Sequence, residues 1–251
     1  NVRFDNPADS GNLWVNRAPV VANLIRYHDF DVFGTQEALK TQLDDLSRAL
    51  PQYERYGKGR SDGREGGEFS AIFFKKDQFK LLKKGDFWLS ETPDKPSLGW
   101  DATCCNRICS WVQLQDARSG KKFYVFNAHF DHQGKVARVE SAKLMLKKIA
   151  EIAGQEPVVL TGDFNGDHNS EWYLTLANSP KLKDTYKLVK DPYANNSSFN
   201  AFGTNFKSAG IIDHIFISGH FTALKWGLLT DTYYGKYPSD HFPVVTELKW
   251  K

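Results

Sequence analysis

Apolar runs of strand length recur along this 251-residue chain, and several of them end in a short polar cluster. Gln36–Glu37 follows Asp31–Gly34, His129–Asp131 follows Lys122–Ala128, and Asp163–Asn165 follows Pro157–Thr161. Asp213–His214 interrupts Ile211–Ile217, and Ser239–His241 precedes Phe242–Leu248. Strands that deliver polar loops to one rim of a sheet stack can carry a site on a rigid scaffold. Helical spacing separates some of these runs. Arg17–His28 places Val20, Val21, Leu24 and Ile25 on one face, with Pro19 in its first turn. Leu39–Leu50 is stopped by Pro51, Val136–Ala153 repeats Val139, Ala142, Leu146, Ile149 and Ala153, and Ser170–Ala177 is short. Phe69–Phe74, Phe79–Leu89, Arg107–Leu114 and Thr222–Leu229 complete the strands. Gly57–Gly67 reads as a mobile loop, with Glu91–Gly99 and Lys190–Ser208 as further loops. The pattern predicts one α+β domain over residues 1–251, its helices covering stacked sheets.

Charge and cysteine usage narrow the function classes. A net charge of +3 is too small to argue nucleic-acid binding by itself. No apolar run approaches the roughly 20 residues needed to cross a bilayer. The chain opens at Asn1 without Met, so an upstream segment is expected, either a cleaved export signal or trimmed residues, and the compartment stays open. Cys105 and Cys109 on one strand would lie about 13 Å apart. A bridge between adjacent cysteines is strained and rare. Cys104, Cys105 and Cys109 are therefore expected as core or half-buried thiols.

The polar clusters hold carboxylates, amides and single histidines, with no Cys-x-x-Cys or paired-His motif. Hard oxygen donors favour Mg²⁺, Mn²⁺ or Ca²⁺ over Zn²⁺. In Thr161-Gly162-Asp163-Phe164-Asn165, the acid and the amide share a face and can orient a water, although an Asx turn uses the same residues. Asp213 lies in an apolar strand and needs a partner, for which His241 is suited. His129 and Asp131 point to one side of their strand, Phe130 and His132 to the other. Trp88, Trp100 and Trp172 suit loop anchoring or stacking on a base or sugar.

In order, Asn-Val-Arg, Gln-Glu, Asn-Ala-His-Phe-Asp, Gly-Asp-Phe-Asn, Ile-Asp-His-Ile and Ser-Asp-His-Phe-Pro resemble the endonuclease/exonuclease/phosphatase superfamily, over Asn1 to about Leu248. Phe130-Asp131-His132-Gln133-Gly134 followed by Ala137-Arg138 looks like a bacterial-type subgroup near the deadenylase and nocturnin branch. The resemblance implies an α/β (α+β) fold, a four-layered sandwich of two mixed β-sheets flanked by helices. It implies Glu37 as principal ligand of Mg²⁺ (or Mn²⁺), with Asn1 and Asp240 beside the ion. Asp163 then orients or deprotonates the attacking water with Asn165 as neighbour, His241 contacts the phosphate while held by Asp213, and His129 contacts a second oxygen. Glu68, Arg107 and Arg138 follow as substrate-side residues. The family has a strand before the Asn equivalent to Asn1, so a few further residues are expected upstream of Asn1.

The reaction this implies is in-line hydrolysis of a phosphodiester or phosphomonoester. A nuclease such as a 3′-5′ exoribonuclease is one outcome, and a lipid, sugar-phosphate or inositol-phosphate phosphoesterase is another. A catalytically silent binding module and a carbohydrate-binding sandwich are the rivals from other classes. The expected partner is a phosphate-ester substrate, nucleic acid among the options, and the expected state is a monomer.

Overall fold

A computed structural model describes residues 1–193, 196–204 and 210–251. Part of the Lys190–Ser208 loop lies outside the described residues. Two β layers pack face to face between two helical layers. One layer is a six-stranded sheet in the order β4 (Phe79–Trp88), β5 (Ile108–Asp116), β6 (Lys122–His129), β7 (Val158–Asp163), β9 (Asp213–Ile217) and β8 (Lys183–Asp184). It is mixed, because β6 and β7 run parallel while its other pairs are antiparallel. The facing layer comprises the antiparallel sheet β1 (Val32–Ala38), β3 (Phe69–Lys75) and β2 (Tyr53–Tyr56), beside the antiparallel pair β10 (Phe221–Leu228) and β11 (Val244–Trp250). The four-layered α/β expectation is borne out, with the second β layer in two pieces.

The two-residue period of a strand explains the layering. On β3, Phe69, Ala71 and Phe73 pack under α1 (Trp14–His28) and α2 (Lys40–Ala49), while Ile72 and Phe74 face the other sheet. On β6, Tyr124, Phe126 and Ala128 pack with Met145 and Ile149 of α3 (Lys135–Ala153), and Phe123 and Val125 point between the sheets. Gly34 lets the sheets approach closely, since a Cβ there would stand 2.5 Å from Asn127 Oδ1. An apolar cavity of about 920 Å³ separates the edges of β1 and β11, with Val125 and Val159 among its walls.

Three local expectations need correction. α1 begins at Trp14, three residues before the predicted start, so Pro19 lies inside the helix rather than in its first turn. The first strand runs on to Ala38, so Gln36 and Glu37 belong to it. The expectation of three free thiols fails, because Cys104 and Cys105 are joined by a disulfide and only Cys109 is a buried free thiol. They lie in the loop before β5, where backbone freedom tolerates a bridge that a regular strand would forbid. In the Gly57–Gly67 loop, Arg60 pairs with Glu68, and Asp62 accepts the N–H groups of Arg64 and Gly66. Among the described residues, no helix is long and apolar enough to cross a membrane.

Candidate active site

The polar strand ends meet at one rim of the two sheets. Glu37 arrives there through a β-bulge in β1, where the register against β3 shifts between Thr35 and Ala38. Its φ is 64°, an uncommon conformation for a non-glycine residue. Such strain costs on the order of 1–3 kcal/mol and persists where the surrounding structure over-determines it. The bulge turns the Glu37 side chain toward the rim instead of the interior. Asp163 ends β7, and Asn165 beyond it also has positive φ, donating its N–H to Asp163 Oδ1 at 3.0 Å. The Asx-type hydrogen bond and a place at the site therefore coexist.

One amide joins the two acids: Asn1 Nδ2 donates to Glu37 Oε1 at 2.8 Å and to Asp163 Oδ2 at 2.9 Å. His241 Nδ1 lies 2.8 Å from Asp213 Oδ2, and its Nε2 lies 3.8 Å from Asp163 Oδ2. Burial works against its charge, but Asp213 and Asp163 outweigh burial and raise the imidazole to about 10. His241 is therefore an imidazolium, a donor at both nitrogens. Burial and the Asp213 charge lift Asp163 to about 6. Burial raises Glu37, but the Asn1 hydrogen bond, His241 and Arg3 prevail and hold it below the usual range. Burial raises Asp240. Arg3 Nε stands 3.8 Å from Asp240, and Arg3 Nη1 stands 3.9 Å from Glu37.

Opposite this acidic group stands a basic one. Arg107 Nη1 lies 3.0 Å from His129 Nε2, its Nη2 lies 2.7 Å from His132 Nδ1, and its Nε donates to Asp131 at 3.3 Å. Burial, then the Arg107 and Arg60 charges, push His129 well below its ordinary value, so it is neutral. A neutral ring beside Arg107 accepts at Nε2 and keeps its proton on Nδ1, which faces Glu68 Oε2 at 3.9 Å. Burial lifts Glu68 to about 7 despite its pair with Arg60. His129 Nε2 is also 3.7 Å from Asp163 Oδ2, so the basic and acidic groups share one pocket mouth. Arg138 sits further out, 4.4 Å above the Trp172 ring, and donates to Asp131 O at 3.3 Å.

Donor atoms of Glu37, Asp163 and His241 lie within 4.8 Å of one another, a spacing that could hold an ion. His241 turns its Nδ1 to Asp213 at 2.8 Å, so a carboxylate orients its ring beside the two acids. Glu37 and Asp163 supply the carboxylate oxygens that a hard divalent cation takes, and Asp240 stands nearby through the Arg3 side chain it shares with Glu37. These residues fit such an ion. His168, Asp184 and His214 form a second group of the same spacing. There the acid is saturated: Tyr173 Oη donates to Asp184 Oδ2 at 3.0 Å, with His214 Nδ1 at 3.1 Å from the same oxygen, and His214 Nε2 lies 2.9 Å from Gly166 O. Hydrogen bonds explain that cluster, which ties the turn after Asn165 to β8 and β9.

The structure thus gathers Asn1, Glu37, Asp163, Asn165, Asp213, Asp240 and His241 on one side and Glu68, Arg107 and His129 on the other. Arg138 stays at the periphery. Sequence reading passed over several supports. Arg17 is fully buried and donates to the carbonyls of Asn12, Val2, Pro238 and Arg3. Gln42 accepts from Asp5 N and donates to Arg3 O. Arg60 was likewise missed, and His132, expected on the face opposite His129, meets the same Arg107 as His129 because β6 ends at His129 and strand alternation stops there. An arginine spaced with Val21 and Ile25 on an apolar helix face was the available signal for Arg17.

Similarity to other proteins agrees with this arrangement. Residues 1–241 match the model of the endonuclease/exonuclease/phosphatase family. The solved structure of a mannosyl-6-phosphatase from Bacteroides thetaiotaomicron VPI-5482 is 47% identical, covering 100% of this chain and 97% of that chain with a TM-score of 0.96. An uncharacterized protein, L388, of Acanthamoeba polyphaga mimivirus is 28% identical over 92% of this chain and 91% of its own length. Nocturnin of Xenopus laevis is 25% identical over 74% of this chain, which spans 50% of nocturnin's length. The chain belongs to the endonuclease/exonuclease/phosphatase family.

Proposed function

We propose that this chain is a divalent-metal-dependent phosphomonoesterase acting on a phosphorylated sugar. The observation that carries the reading is the 47% identity over the whole chain to a mannosyl-6-phosphatase, against 25% to nocturnin. The site supports it: an imidazolium and an arginine stand near three carboxylates at one rim of the sheets. Exoribonuclease action is the second reading, carried by the nocturnin similarity.

Glu37, with Asp240 and Asp163 near it, would hold Mg²⁺ or Mn²⁺. Such an ion, when bound, neutralises charge developing on the phosphoryl oxygens. Asp163 orients the attacking water and takes its proton, with Asn1 and Asn165 fixing the carboxylate. His241 donates Nε2–H to a phosphoryl oxygen, and Asp213 preserves its charge and orientation. Arg107 donates to a second oxygen, and His129 and Asp131 hold its guanidinium in place.

The test is phosphate release with Mg²⁺ from hexose 6-phosphates, inositol phosphates, phosphoinositides and a single-stranded RNA. Turnover of a hexose phosphate at least tenfold above the other substrates is expected. Preferential RNA shortening would overturn the reading.

A further inference from the structure

The Cys104–Cys105 disulfide has no part in the chemistry above, yet it lies in the loop that leads into Arg107. Cys104 is exposed and Cys105 is half-buried. Arg107, which meets His129 and His132, follows two residues later. Two residues of extended chain span roughly 7 Å, so the Cα of Cys105 lies no further than that from the Cα of Arg107.

The loop carrying the disulfide is tied down on both sides. Thr103 Oγ1 donates to Gln133 Oε1 at 2.6 Å, beside His132. Asn106 Nδ2 donates to Arg60 O at 3.4 Å. Asp101 accepts Val136 N at 3.0 Å and Ala137 N at 2.6 Å, fastening the loop to the first turn of α3. Bridging adjacent residues removes two thiol protons and locks both side chains into one ring. The outcome is a rigid, polarisable, apolar surface among polar neighbours. A pyranose offers a matching shape, with C–H bonds on one face and hydroxyls around its edge. A preorganised surface binds with little loss of side-chain entropy.

We propose that the Cys104–Cys105 disulfide is the platform on which the sugar ring of the substrate rests, with Thr103, Asn106 and Gln133 positioned around it for the hydroxyls. This rests on the sugar-phosphate reading and adds the subsite that selects a ring over an open-chain alcohol.

The experiment compares kcat/KM for mannose 6-phosphate with that for glycerol 2-phosphate, which has no ring. The measurements use the wild-type protein, the double variant C104S/C105S, and wild type reduced with a phosphine. The ratio of the two kcat/KM values is expected to fall about tenfold in both altered forms, through KM for the sugar ester, and to recover on reoxidation. Calorimetry should show mannose 6-phosphate binding weakened by the same factor. A thermal melt checks folding of the double variant, and the reduced wild type serves if that variant is unstable. An unchanged ratio overturns the platform. Cleavage of glycerol 2-phosphate but of no hexose phosphate also overturns it, while phosphomonoester hydrolysis stands. Cleavage of neither ester takes down both.

Discussion

Glu37 and Asp163 come from different sheets, yet the side-chain amide of Asn1 donates to both, at 2.8 and 2.9 Å. The strained bulge at Glu37 and the turn after Asp163 are two halves of one device. It holds acids that would otherwise repel near enough to share a cation and a water.

Asp163 is nearly fully buried and is raised by that burial, so removing its charge relieves a desolvation cost while deleting the base. Asp163→Asn should lower kcat by about 10²–10⁴-fold, the usual weight of a general base. Its melting temperature should match or exceed that of wild type. Steady-state kinetics and a thermal melt together check this; turnover near wild type excludes Asp163 as base.

The proposed mechanism requires Asp163 without its proton and His241 with one. With Asp163 at about 6 and His241 at about 10, kcat/KM should climb through the mildly acidic range and decline above pH 9 to 10. The two limbs belong to a coupled group. His241→Ala should abolish the alkaline limb along with most of the rate. A pH–rate profile of both proteins is the measurement.

Chelation should silence the enzyme, and Mg²⁺ or Mn²⁺ should restore it. Ion binding to the native state raises stability by mass action. Excess Mn²⁺ should therefore raise the wild-type melting temperature by several degrees, an increase largely lost in Glu37→Gln. An equal rise in both proteins would place the ion elsewhere.

Arg17 donates to four backbone carbonyls while fully buried. It fastens the Asn1–Arg3 segment to the Pro238 turn that precedes Asp240 and His241. Arg17→Ala leaves those carbonyls unsatisfied and should cost about 3–5 kcal/mol, by analogy with breaking a buried charged network. Urea unfolding measures it; a loss under 1 kcal/mol contradicts the role.

Asp184 is held below the usual carboxylate range: burial opposes this, but His168, His214 and the Tyr186 N–H prevail. A depressed carboxylate stabilises the fold above its unfolded pKa, near 4, and that contribution is lost as pH falls further. Asp184→Asn should be destabilised at pH 7, with the gap to wild type narrowing at strongly acid pH.

The candidate site residues were legible where a short polar motif ended, interrupted or preceded an apolar run, as at Asp163, Asp213 and His241. The motifs placed these residues near strand ends, and the family resemblance supplied the roles expected of them. Residues whose role depends on chain crossings were not legible. Arg17 meets carbonyls of a segment more than two hundred positions away, and Arg60 gains meaning only beside Glu68 and Trp88. The bulge that aims Glu37 depends on the register of β3, which no local pattern encodes. The Cys104–Cys105 bridge was set aside because bridges between adjacent residues are strained and rare, yet these residues occupy a loop and are joined.

The proposed chemistry requires a divalent ion held at Glu37 beside Asp163. Crystals soaked in Mn²⁺ and measured at the manganese absorption edge test it directly. An anomalous peak within coordination distance of Glu37 and within one water of Asp163 is the expected result. A peak at His168, Asp184 and His214 instead, or none at saturating Mn²⁺, would contradict it.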